Sequence, residues 1–187
     1  MTDLAVARLD VFALAAALLA LGGFLLTPFA TKAVKALPRA KFLGWGLSAL
    51  CWIWVTVELY NHPIDFLAFL SPVMTIVLGI ILIPLTWVLL SNLLCARAVG
   101  GILMLWPMPV ILAVRDQITL WRLIPVTIGY ASLTLGMVIV FYPWVLRVVC
   151  DHLAEQPRLR QMASILFFIL GLLLVVAALS LGKVVGE

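Results

Sequence analysis

The sequence predicts an all-α integral membrane protein, a bundle of about six transmembrane helices with short loops and no soluble domain. Three observations carry that expectation. Hydrophobic residues make up 66% of the 187 positions and charged residues only 11%, against roughly half and a quarter in a soluble domain. The apolar residues come in long runs, several of them near the roughly 20 residues that a spanning helix requires. The basic residues behind the net charge of +4 fall in the gaps between runs, as topology signals do, and form no phosphate-binding patch that would point to nucleic acid.

Taken in order, the runs cover residues 11–30, 43–60, 66–94, 98–114, 123–146 and 162–182, and together they make residues 1–187 a single transmembrane domain. The start carries Asp3 and Asp10 against Arg8 with no A-x-A site after the first run, and reads as a retained span rather than a cleaved signal peptide. Lys32, Lys35, Arg39 and Lys41 follow the first run, and Asn61, His62, Pro63 and Asp65 close the second. The third is long enough to span with tilt, and Pro84 is expected to kink it. Pro107 and Pro109 interrupt the fourth, which is the shortest.

Orientation follows from the basic residues, which are retained on the cytoplasmic side. Lys32, Lys35, Arg39, Lys41, Arg97, Arg147, Arg158 and Arg160 fall on one side, against Arg8, Arg115, Arg122 and Lys183 on the other. The expectation is N-out and C-out, in a bacterial plasma (inner) membrane.

Helical periodicity then assigns faces. Ala13, Ala16, Ala17, Ala20 and Gly23 share one side of the first helix, a small-residue surface suited to close packing. Ser71, Thr75, Gly79 and Thr86 form a hydroxylic stripe on the third. The fifth carries Thr127, Tyr130, Ala131 and Thr134 on one side and Gly129, Ser132 and Gly136 on the other, which places it near the middle of the bundle. The sixth, almost wholly aliphatic, belongs at the lipid edge, where Ala177 and Ala178 should tolerate larger residues. Trp52, Trp54, Trp87 and Trp106 lie deep in their runs, where each indole N–H needs a partner. Core packing meets that need, and so does a quinone, pigment or lipid-tail pocket.

Several chemistries lack their residues. The two histidines, His62 and His152, lie in connections on opposite sides, which disfavours bis-His haem. HExxH, GxSxG and a complete Walker A are missing, so zinc protease, hydrolase and nucleotide-motor functions find no support. Cys51, Cys95 and Cys150 are far apart, unlike a disulfide framework or thiolate metal site. Cys95 and Cys150, near the inner interface, are weak candidates for acylation. No charged residue sits at the centre of a run, where ion-coupled transporters commonly keep one.

One polar cluster remains on the expected outer side: Glu58, His62 and Asp65, joined by Arg115 and Arg122. Carboxylate and imidazole together suit a divalent cation or a proton relay, and the same residues also serve to end a helix in water. Arg122 is the expected partner of Glu58. The functional expectation is an accessory or structural subunit of a larger membrane complex, with the lipid bilayer and other membrane subunits, or its own copies, as partners. It has no catalytic centre of its own and no identifiable metal or cofactor. The alternative is a small oligomeric transporter or channel that uses Ser71, Thr75, Thr86, Thr127, Tyr130 and Thr134 as a polar path.

Overall fold

The computed structural model describes residues 2–61, 72–90, 93–115 and 120–180. They are almost wholly helical, with no strand among the described residues. Nine helices follow one another there: α1 (Thr2–Leu26), α2 (Ala30–Ala36), α3 (Lys41–Asn61), α4 (Pro72–Leu89), α5 (Leu94–Leu105), α6 (Pro107–Val114), α7 (Leu123–Phe141), α8 (Pro143–Glu155) and α9 (Pro157–Ser180). Four stretches are long and apolar enough to cross a membrane: Lys41–Tyr60, Leu94–Leu112, Leu120–Phe141 and Pro157–Ser180. A fifth is counted if Val11–Leu26 and Ala30–Arg39, which meet at 109°, are one bent span. Val73–Leu89 is apolar but shorter; residues 66–71 of the expected third run lie outside the described residues.

Prolines set most of the boundaries that the apolar runs leave blurred. Pro28 ends the first run early, and the chain turns at residues 27–29, where the Thr27 hydroxyl donates to the Phe24 carbonyl at 2.7 Å. Tyr142, held at φ −121° and ψ 70° before Pro143, stops the fifth run at Phe141, since a residue preceding proline is pushed out of the helical region. What was expected as a span to residue 146 and a polar connection is therefore a break followed by a separate helix. Pro107 does the reverse. It takes the first position of α6, where a missing N–H costs least, and Trp106 keeps helical angles, so Leu94–Leu112 continues as one span. Pro84 lies inside α4 without interrupting it.

α1 and α9 pack antiparallel along most of their length. Gly22 lies against Ser164 and Phe168, Gly171 against Leu19 and Ala15, and the Ser164 hydroxyl donates to the Gly22 carbonyl at 2.7 Å. Val11, Ala15, Val110, Val114, Leu174 and Ala178 form a buried cluster that joins α1, α6 and α9. Two sequence expectations are corrected here. Ala13, Ala16, Ala17 and Ala20 are exposed, and α1 packs through Val11, Ala15, Gly22 and Leu25 instead. α9 is no lipid-edge helix at this face: Ala177 and Ala178 are both 0% exposed. An aliphatic helix offers little polar contrast by which its packed side can be read, and Ser164 with the small residues at 171, 177 and 178 were the marks of it.

The other seams run α4–α3–α5–α7. α3 and α4 are antiparallel, with Thr56 against Gly79 and Ser48 against Trp87. α3 and α5 are parallel, with Gly44 against Cys95 and Cys51 against Gly101. α5 and α7 are antiparallel and meet backbone to backbone at Gly100 and Gly136. α7 is buried on one side only, through Pro125, Gly129, Ser132, Gly136 and Ile139, while Thr127, Tyr130, Ala131 and Thr134 point out of the chain. The expectation of a helix buried on both sides within the chain is corrected accordingly.

α2 and α8 pack on each other at one end of this arrangement. α2 and the 3-10 turn Leu37–Arg39 turn Ala30, Val34, Leu37 and Pro38 inward, with Lys32, Lys35 and Arg39 outward. α8 buries Pro143 and Cys150 and exposes Arg147, His152 and Glu155. Both are amphipathic, the pattern of helices that lie along an interface rather than cross it. The elements at this end carry Lys32, Lys35, Arg39, Lys41, Arg97, Arg147, Arg158 and Arg160, whereas Arg115 and Arg122 stand at the opposite end.

Candidate functional site: a basic cleft that meets an apolar groove

The residues singled out by sequence scatter. Of the outer cluster, His62 and Asp65 lie outside the described residues, as does Ser71 of the polar path. Glu58, half-buried near the end of α3, is not brought to Arg122. The Arg122 guanidinium donates instead to the Arg115 carbonyl at 3.1 Å, and α3 makes its main contacts with α4 and α5. The two hydroxylic faces do not meet either. Thr75 is buried and Thr86 donates to the Ile83 carbonyl on α4, whereas Thr127 and Thr134 bond their own backbone on the outward side of α7. α3 and α5 stand between them.

Two of the four indoles expected to lie deep have hydroxyl partners, although Trp87 is corrected to the last turn of α4, near the end of its helix. Trp106 donates to Ser132 at 2.7 Å, and Ser132 passes its own proton to the Leu103 carbonyl at 2.9 Å. Trp87 donates to Ser48 at 2.9 Å. These bonds account for Ser132 and Ser48 being buried in an apolar seam, since a buried hydroxyl without a partner is costly.

The Trp87–Ser48 bond also braces one wall of a cleft at the basic end. A cleft of about 530 Å³ is lined by Pro38, Arg39, Ala40, Lys41, Trp45, Trp87, Leu93, Leu94, Cys95 and Arg147. Its walls come from five places in the chain, one of them the start of α5 with Leu94 and Cys95. The 3-10 turn supplies Arg39, the first two turns of α3 supply Lys41 and Trp45, the end of α4 supplies Trp87, and α8 supplies Arg147. Trp45 stacks on Trp87 with ring centroids 5.7 Å apart and planes at 24°, and Phe42 meets Trp45 edge-on at 5.4 Å. Among the described residues, three cations line this cleft and no carboxylate does. Asp151, behind it, approaches both Arg39 and Arg147 at 4.0 Å, long distances at which two half-exposed guanidinium groups are only weakly neutralised. Leu93 on the rim holds a left-handed backbone at φ 59°, a conformation that costs a side-chain-bearing residue about 1–2 kcal/mol.

Leu94 also lines a second, almost wholly apolar groove of about 350 Å³. It runs along α3 and α5, bounded by Ser48, Cys51, Trp52, Val55, Leu90, Gly101, Met104 and Leu105. Arg97 is the one charged residue in its lining, and its Nε is buried without a hydrogen-bond partner. A buried donor left without an acceptor is uncommon in a folded protein and asks for an explanation.

Sequence reasoning used Arg39, Lys41, Arg97 and Arg147 only to set sidedness and did not single out Trp45. The available signal was Trp45 one turn beyond Lys41, an indole next to a cation at a span end. No group of three or more metal-ligating side chains occurs among the described residues. Cys150 on α8 has its thiol pushed up to about 11, by burial first, then by Asp151 and Cys95, which makes it a poor nucleophile. The arrangement thus offers a cation-lined, aromatic-floored cleft beside an apolar groove. Searches against protein-family models, characterised proteins and solved structures find no match to this chain.

Proposed function

We propose that this chain is a helix-packing subunit of a larger membrane complex, with six spans, both ends outside, in a bacterial plasma membrane. The observation that carries the reading is Tyr130. It sits midway along Leu120–Phe141, points away from the bundle and is 57% exposed. A phenol facing hydrocarbon at that depth leaves its hydroxyl unsolvated unless another protein covers it. Ala131 on the same outward side allows a neighbouring helix to approach closely.

The second reading, a small oligomeric transporter or channel, draws less support, because Thr75 and Thr86 are held apart from Thr127 and Thr134 by two helices. A path built from them would have to form between copies. Purification in mild detergent followed by sizing separates the readings. The subunit reading expects a particle containing unrelated membrane chains, and Ala131→Trp should release the protein as a monomer with its own helical melting unchanged. A lone monomer, or a particle that ignores Ala131→Trp, overturns it. A homo-oligomer stabilised by a solute moves the conclusion to the transporter.

A further inference from the structure

We propose that the basic cleft and the apolar groove are the two halves of one binding site for an anionic glycerophospholipid. This inference rests on membrane embedding and not on the subunit reading above.

The cleft supplies what a phosphodiester headgroup needs. Arg39, Lys41 and Arg147 come from three different elements and line one concavity without an acidic residue among them, and cationic pockets between helices at the cytoplasmic face hold anionic headgroups. At about 530 Å³ the space falls within the roughly 300–1,000 Å³ of small-molecule sites. The stacked pair Trp45 and Trp87 forms an amphipathic floor, the usual residue type at the boundary between headgroup and hydrocarbon. A soluble phosphate would be served by the cleft alone.

The groove is what selects a lipid. It adjoins the cleft at Leu94 and is apolar along nearly all of its length, so an acyl chain entering it leaves its headgroup at the cations. Arg97 lies in the groove lining with a buried, unpartnered Nε. A phosphate oxygen in the groove meets the positive charge of this guanidinium, while the Nε itself is packed out of a ligand's reach. The left-handed Leu93 shapes the rim of the cleft next to Leu94, the kind of place where strained backbone accompanies binding.

The test uses the full chain purified in a mild non-ionic detergent, titrated with phosphatidylglycerol, with phosphatidylcholine of the same acyl chains, and with inorganic phosphate. Binding is read from tryptophan fluorescence and from the melting temperature. Phosphatidylglycerol is expected to bind and to raise the melting temperature, with the other two giving little. Lys41→Gln, which breaks no ion pair among the described residues, and Lys41→Gln with Arg147→Gln should weaken that binding, the double variant by at least about tenfold, or about 1.4 kcal/mol. Arg158→Gln with Arg160→Gln removes the same charge from the same end outside the cleft and should stay within about twofold of the native chain, well under that tenfold step. Arg97→Met should melt no lower than the native chain without lipid, because it removes an unpartnered donor, and should gain less from phosphatidylglycerol. Equal weakening by the α9 pair overturns the site in favour of diffuse electrostatics. Equal stabilisation by inorganic phosphate or phosphatidylcholine overturns the assignment to an anionic lipid.

Discussion

Cys150 is held between a hydrophobic seam and a carboxylate, and its chemistry follows from both. Burial, Asp151 and Cys95 all disfavour the thiolate and push the group to about 11 from an ordinary 9.0. A raised thiol pKa means that the folded chain binds the proton more tightly than the unfolded one. Its contribution to stability is therefore complete below pH 9 and is lost as the pH rises through about 11. Iodoacetamide reacts with the thiolate, so Cys150 in the folded protein at pH 8 should alkylate about 100-fold more slowly than in denatured chain. Its rate should still be climbing above pH 10. Peptide mapping by mass spectrometry reads the site individually, and a rate that levels off by pH 9 would contradict the buried, Asp151-facing placement.

At the scale of the elements, the α5–α7 seam is governed by two glycines whose backbones touch. A Cβ at Gly136 would lie 2.6 Å from the Gly100 carbonyl and 2.8 Å from Met104, whereas one at Gly129 would meet only side-chain carbons of Pro107 and Ile111 at 3.3 Å. Gly136→Ala must therefore move a helix, while Gly129→Ala asks side chains to shift by tenths of an ångström. The first is expected to cost about 1–3 kcal/mol and the second clearly less. Thermal melts of the two variants in detergent check the order, and equal losses would mean that α5 and α7 do not cross at Gly100. Gly129, Ser132 and Gly136 were legible as a packing face because small residues at helical spacing stand out against larger aliphatic neighbours. The packed face of α1 was not legible. Its exposed side is rich in alanine while its buried side mixes Val11, Ala15, Gly22 and Leu25, so residue size gave the opposite answer. The basic cleft was illegible for another reason: its cations come from the 3-10 turn, α3 and α8, and only folding brings Arg39, Lys41 and Arg147 together.

For the whole molecule, the sequence carried the all-helical class and the long apolar helices that are candidates to cross a membrane, because hydropathy alone specifies them. It missed the breaks at Pro28 and Pro143, where an apolar run continues into a helix of different direction or role. The proposed orientation places the end with α2 and α8 inside. Lys35→Cys in a cysteine-free background should then label with an impermeant maleimide only after cells are permeabilised, and Leu120→Cys, 83% exposed at the other end, in intact cells. Labelling of both from one side would remove that orientation. The α1–α9 pairing has a consequence in time. Ser164 reaches a carbonyl 142 residues earlier in the chain, and at about 5–20 residues per second roughly 7–28 s of synthesis separate the two. Throughout that interval the face of α1 at Ala15 and Gly22 lacks the helix that covers it in the finished fold. Two nascent chains made side by side can each offer α9 to the other, so exchanged dimers are the misassembly that this connectivity favours.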